Sequence, residues 1–419
     1  MRHDVVILAI YFQVAVLKLA SDLGTKMSDA SMNAPKGALL TGPGAPQKPQ
    51  SITIAQVMQD HGVHPLRQMR EIFAMRGGRQ KLGSNEYYSL RLYDPAIAMA
   101  QKREFLGQGG TNALNARMNP PTAVPTRSFV GNKLLYTQLL EQLGIPTART
   151  QAMVSGHLSA GKVPVLRDAG ILAQFLRNEA IYPIFGKPYF GSLSEGSVRI
   201  EAREDDMLRL ANGEARDLTD FAAEVMTRYP GGFLLQSALD PHADMARIAG
   251  PAIGCVRVLT ANDGSGPKPA YAVWKLPAPM AMSDNFWQDG SLLADLDLGG
   301  GMIKACLRGT SLSAEMLTRH PVSNAPLVGA ALPFWSETLE IAVEAHAVFP
   351  EFGVCGFDIA VTNEGPKVLE CNDNPAHMLY QLAARRGLEN PDLAPIWARV
   401  VARQEKQVAR MKAAMKKRR

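Results

Sequence analysis

GFDIAVTNEGPKVLECNDNP, residues 356–375 of the 419-residue chain, is the stretch on which the fold turns. Two β-branched runs, Phe357–Thr362 and Lys367–Asn372, flank Asn363, Glu364 and Gly365, which predicts a hairpin. A three-residue loop there sets Asp358 opposite Glu370. Side chains alternate along a strand, so Asp358, Glu370 and Asn372 are expected on one face, with Phe357, Ile359, Val361, Leu369 and Cys371 on the other. Two carboxylates opposed at roughly 5 Å repel. A hard divalent cation resolves the conflict, and two acids beside an amide suit Mg²⁺, with Mn²⁺ as a substitute. The alternative is a solvent-facing hairpin whose acids only solubilise it.

A second signal lies upstream in YPIFGKPYFGSLSEGSVRI, residues 182–200. A strand runs into Lys187 and Pro188, then a loop with Gly191, Ser192, Ser194, Gly196 and Ser197 precedes another strand. Such a loop can aim backbone N–H groups at phosphate oxygens, with Lys187 beside them as a point charge. It is not a Walker loop, because no Gly-Lys-Ser/Thr follows the glycines, and taken alone it reads first as a hairpin turn. Lys133 opens a Leu-rich helix, while Arg257 in CVRVLT and Lys275 in AVWKLP lie on strands. Metal-binding acids, a Gly/Ser loop and strand-borne cations are together the parts that hold a nucleoside triphosphate.

Around these motifs the chain divides by composition. Residues 1–50 comprise an apolar run, VVILAIYFQVAVL at 5–17, and a Ser/Ala/Gly/Pro-rich linker. The run has the layout of a signal-peptide core, but Lys18 falls at −3 if cleavage followed Ala20, and it is too short to span a bilayer. A start at Met27 or Met32 is the other reading. Residues 51–125 read as a helical region closed by prolines, 126–385 as alternating helix and strand, and 386–419 as a basic terminal helix. With 46% hydrophobic and 20% charged residues, disordered, collagen-like and coiled-coil classes are excluded.

The net charge of +6 is local. From Ile396 to Arg419 there are nine Lys or Arg and one Glu, so this tail carries about +8 and the rest is near neutral. No basic groove follows, and no specific nucleic-acid partner is expected. The tail itself reads as a docked or solvated helix, or as a weak contact for an anionic surface. Four widely spaced cysteines make neither a disulfide framework nor a C-x-x-C site, which suits a cytoplasmic protein.

In order along the chain, Asn132-Lys133, GIPT at 144, FGKP with its Ser/Gly loop, LLQSALDPH at 234–242, CVRV, SDNF at 283 and the GFDIAV to ECNDNP hairpin resemble the ATP-grasp superfamily. More narrowly, they resemble its sugar-transfer-associated branch, related to α-L-glutamate ligases. The likeness runs from about Ser128 to Gln381 and more faintly from NEYYSLRLYD at 85–94.

The resemblance implies an α+β fold in which two α+β subdomains grip ATP, one a mobile lid at about 183–240, between an N-terminal helical region and the C-terminal basic helix. It implies that Lys133 and Lys187 contact phosphates under the loop Gly191–Ser197. Gln236, Ser237 and Leu239 would lie on the backbone edge that reads adenine, although Gln236 stands where many members have Glu. Asp358, Glu370 and Asn372 would hold Mg²⁺, and Lys187 and Arg257 would serve the transferring phosphoryl group.

The activity expected from this resemblance is ADP-forming ligation. A carboxylate becomes an acyl phosphate, and an amine or similar nucleophile attacks it, possible settings being polysaccharide or envelope metabolism. A phosphotransferase acting on a sugar or hydroxyl, and a non-catalytic nucleotide-binding module, are the alternatives. Asp284 and Asn285 read as acceptor contacts or a turn, and His242 and His377 as substrate-orienting or structural. Trp274, Trp287 and Trp335 read as core or lid packing.

Overall fold

The computed structural model describes residues 38–39, 54–120, 124–191 and 194–417. The N-terminal apolar run, the linker, Ser192 and the last two arginines lie outside the described residues. From Leu39 onward the chain clusters as one compact unit; of the unit that precedes it only Ala38 is described.

Two seven-stranded sheets carry the fold. The first contains β1 (Thr150–Val154), β2 (Val165–Leu166), β3 (Ile184–Pro188), β4 (Val198–Glu204), β5 (Met207–Leu210), β6 (Ala215–Asp217) and β7 (Phe233–Ser237), in the order β2-β1-β7-β3-β4-β5-β6. The second contains β8 (Val256–Asn262), β9 (Pro267–Leu276), β10 (Leu292–Leu296), β11 (Ile303–Arg308), β12 (Glu315–Met316), β13 (Val354–Thr362) and β14 (Gly365–Asn372), in the order β12-β11-β10-β9-β8-β13-β14. Every pairing is antiparallel except β1 with β2. This is the expected α+β class. The sheet that carries the Gly/Ser loop begins at Thr150, well before residue 183, because β1 pairs with β7.

Helices α1 (Ile54–His61), α2 (Pro65–Arg76), α3 (Ser84–Ser89), α4 (Met99–Lys102) and α5 (Gln108–Met118) precede the sheets. Helix α6 (Val124–Val130) comes before α7 (Lys133–Gln142), the Leu-rich helix that Lys133 opens as expected. Asn132 separates the two, and its side chain accepts from the Leu135 amide at 3.0 Å as the cap of α7. Helices α8 (Ala169–Asn178), α9 (Leu218–Arg228), α10 (Ala243–Ala249), α11 (Trp335–Ala347), α12 (Met378–Ala384) and α13 (Ala394–Lys417) complete the chain.

The central strands of the second sheet are buried on both faces. Val256, Val258, Phe357 and Ile359 pack with Ile341 and Ala345 of α11. Leu259, Val273 and Val354 pack on the opposite face with Tyr87, Leu114, Leu382 and Trp397, from the N-terminal helices, α12 and α13. A continuous apolar strand is the pattern of a sheet covered on both sides. A polar residue in such a strand therefore has to earn its place through a partner or a function.

The hairpin pairs Asp358 with Glu370 as expected, but by a different route. Thr362 pairs with Gly365, so the loop has two residues, Asn363 and Glu364. A bulge between Asp358 and Ile359 then shifts the register by one. Cys371 enters the core as expected; in consequence of the shift Val368 joins it, and Leu369, expected there, lines the cavity described below.

Candidate functional site

A cavity of about 590 Å³ opens between the two sheets. Lys133, Lys187, Gly191, Ser194, Ser197, Gln236, Ser237, Leu239, Arg257, Asp358, Glu370 and Asn372 all line it. Gly196 does not. At φ +75°, it is packed against Tyr229 and Pro188, where an added Cβ would come within 2.2 Å of the tyrosine oxygen. Its place in the loop is conformational.

Lys133 sits in the first turn of α7 because Asn132 caps that helix, and its ammonium donates to the Gly191 carbonyl at 3.0 Å. Burial lowers its pKa. Lys187, on β3, has its pKa lowered to about 8, by burial first and by the Lys133 charge second. Two half-buried cations side by side repel, and an anion between them would relieve both.

The strand-borne charges form a tighter group. Arg257 on β8 is bidentate to Asp358 on β13, with Nη2 to Oδ2 at 2.8 Å. Lys275 on β9 reaches Asp358 at 3.2 Å and Asp284 at 2.8 Å. Burial raises the Asp358 pKa, but Arg257 and Lys275 outweigh it and hold the carboxyl well below its usual range. Asp284 also accepts from the Cys255 amide at 3.2 Å, so it anchors Lys275 from the strand edge. Glu370 lines the same cavity with no ion-pair partner among the described residues. The Asn372 amide donates to the Gly356 carbonyl at 3.4 Å.

At the far edge, β7 ends in Gln236 and Ser237. The Gln236 amide turns inward, donating to Thr150 Oγ1 at 3.2 Å and the Ala148 carbonyl at 3.4 Å. The Leu239 carbonyl accepts from Arg199 at 2.7 Å, and Arg199 is itself held by Glu201 and Asp240. Arg199 was not legible as a site residue, since VRI reads simply as strand. Asn85, Glu86, Ser89 and Gln108 bring α3 and α5 to the cavity wall, and of these only NEYYSLRLYD gave a signal.

Several secondary expectations are also placed. His377 is fully buried, bonded to Tyr271 at 2.7 Å and Asn115 at 2.8 Å, and His242 caps α10 through the Asp244 amide. Both are structural. Trp274 and Trp335 are buried, whereas Trp287 is 49% exposed on the cavity rim. All four cysteines are free and buried.

Among the described residues no three His, Cys, Asp or Glu converge into a self-sufficient cage. Two opposed carboxylates with an amide beside them, open to a cation-lined cavity, fit a hard ion whose coordination is completed by phosphate and water.

Comparison with known proteins gives three findings. A family model described as "Sugar-transfer associated ATP-grasp" matches residues 111–394. No curated protein matches. Among solved structures, the D-alanine-D-alanine ligase from Coxiella burnetii is similar at 15% identity and TM-score 0.40, covering 69% of this chain and 62% of that one. The biotin carboxylase from Campylobacter jejuni is similar at 12% identity and TM-score 0.40, covering 77% and 58%. The chain thus spans less than two thirds of either. No described helix is long and apolar enough to cross a membrane.

Proposed function

The chain belongs to the sugar-transfer-associated ATP-grasp family, and from that premise we propose that it is an ADP-forming ligase that activates a carboxylate as an acyl phosphate for attack by an amine or similar nucleophile. The observation that carries this reading is the convergence of four cations, Lys133, Lys187, Arg257 and Lys275, with the opposed acids Asp358 and Glu370 in one cavity between two sheets.

Lys133 and Lys187 neutralise phosphate oxygens, and the backbone around Gly191, Ser194 and Ser197 covers them. The strand edge Gln236–Leu239 offers backbone groups to the base, with Arg199 fixing the Leu239 carbonyl. Asp358, Glu370 and Asn372 hold Mg²⁺. When bound, Mg²⁺ neutralises the charge on the phosphate chain. Arg257 and Lys275, already at the acids, face the transferring phosphoryl group and the carboxylate that receives it. Their charges favour two anions meeting at close range, which water alone would oppose.

The test is ADP release over a panel of carboxylic acids, sugars and amines, with product mass measured. Ligation needs acid and nucleophile together. A stable phosphorylated product from a hydroxyl acceptor, or no ADP above background with any acceptor, would refute the proposal.

A further inference from the structure

Helix α13 begins as a packed element and ends as one exposed among the described residues. Trp397, Val400, Val401 and Gln404 are buried on one stripe, with the Trp397 indole donating to the Leu388 carbonyl at 2.8 Å and the Gln404 amide to the Glu351 carbonyl at 2.9 Å. The same stripe, stepping by three and four residues, continues through Val408, Met411 and Met415. There the described residues cover it less and less: Val408 is half-buried, Met411 is 49% exposed and Met415 is 68% exposed. Among the described residues, the last ion pair that ties the helix to the body is Arg117–Glu405 at 2.9 Å.

Beyond that tether the charge is one-sided. Lys406, Arg410, Lys412 and Lys416 are exposed and have no ion-pair partner among the described residues. At 100° per residue each of the four lies about 100° or more around the helix from Met411, so they flank the methionine stripe and fill the side away from it. Thirteen residues from Glu405 to Lys417 extend about 20 Å. An apolar stripe with basic residues along its other side is the form that lies in a lipid interface, side chains such as Met entering the acyl boundary while Lys and Arg meet anionic headgroups. A nucleic acid would use the charge and leave the methionines in water.

We propose that the exposed half of α13 is a docking surface for an anionic phospholipid membrane, holding the enzyme peripherally at it. The inference stands apart from the ligase reading, because it uses no residue of the cavity.

The experiment is sedimentation of the full chain with phosphatidylcholine vesicles, with and without about 30 mol % phosphatidylglycerol. The chain should bind the anionic vesicles only, and binding should weaken in about 0.5 M salt. Met411→Gln with Met415→Gln keeps the charge, and should lower partitioning about tenfold. Met415→Trp should show a blue shift in emission on anionic vesicles. Circular dichroism should be the same for all variants, since the substituted positions are exposed.

Equal binding to both vesicle types would overturn the proposal, as would no binding to either. So would methionine variants that bind as the parent does while Lys406→Gln with Arg410→Gln and Lys412→Gln releases the protein. That last pattern, together with displacement by polyuridylate, would assign the helix to a polyanion such as RNA.

Discussion

Arg257 and Asp358 face one another across the β8–β13 pair, directly in register, and the guanidinium spans both oxygens of the carboxylate. Lys275 closes on the same carboxylate from β9. Each of the three is buried, so the acid balances two cations that have little water to fall back on.

Asp358→Asn should therefore do more than weaken metal binding. It strips Arg257 of its charge partner and leaves Lys275 only Asp284. Breaking a buried pair from one side costs about 3 kcal/mol. Urea unfolding should show that loss together with loss of turnover; an unchanged midpoint would contradict the charge arrangement.

Glu370→Gln separates the two effects. Glu370 lines the cavity without an ion-pair partner among the described residues, and it is only half-buried. Stability should stay within about 0.5 kcal/mol of the parent. Mg²⁺-dependent ADP formation should fall at least about a hundredfold. Full activity in this variant would remove Glu370 from the metal site.

The contrast between these two acids marks how far the sequence could be read. Alternation and turn chemistry were enough to pair Asp358 with Glu370, and Arg257 and Lys275 lie on strands, 256–262 and 267–276, as CVRVLT and AVWKLP led one to expect. The bulge was not legible. A three-residue loop without a bulge and a two-residue loop with one give the same acid pair, but they send Leu369 to opposite faces. The charge partners of Asp358 were hidden for a similar reason. Arg257 and Lys275 lie about 100 and 80 residues away in sequence, and only the order β9-β8-β13 makes them neighbours. A Gly/Ser loop likewise does not say which of its glycines lines a cavity, and Gly196 packs against a tyrosine and a proline.

Lys187 supplies a proton signature of nucleotide binding. Its pKa is lowered to about 8 from an ordinary 10.5, chiefly by burial and then by Lys133. Near pH 8 about half of the ammonium has lost its proton, and a triphosphate restores it, so binding should take up as much as about half a proton. Between pH 8 and 10.5 the unfolded chain holds more protons than the folded one at this residue, so this group makes stability rise with pH there. Calorimetry of nucleotide binding at pH 8 in two buffers of different ionisation heat measures the uptake. Lys187→Arg should abolish it, and Lys187→Ala should also weaken binding at least about tenfold. The same uptake in the arginine variant would place the proton elsewhere.

His377 sets the acid limit of the fold. The Asn115 amide spends its N–H groups on Asn374 Oδ1 at 2.8 Å and the Pro375 carbonyl at 3.1 Å, which leaves its oxygen to accept from His377 Nε2 at 2.8 Å. His377 Nδ1 then accepts from the Tyr271 hydroxyl at 2.7 Å. Both ring positions are satisfied by a neutral imidazole. Burial, with Arg257 nearby, lowers its pKa to about 3 from 6.5. His346 is lowered to about 4, again mainly by burial. Below pH 6.5 the unfolded chain takes up these protons and the folded chain does not. The stability they contribute is thus full above pH 6.5 and lost as the pH falls toward 3 to 4. Each histidine should steepen the decline toward about 1.4 kcal/mol per pH unit below that threshold. Urea titrations at pH 7, 6 and 5 should show the slope, and His377→Gln should reduce it. If the ring resonances of His377 titrate with a midpoint near 6.5 in the folded protein, the neutral, fully bonded ring described here is wrong.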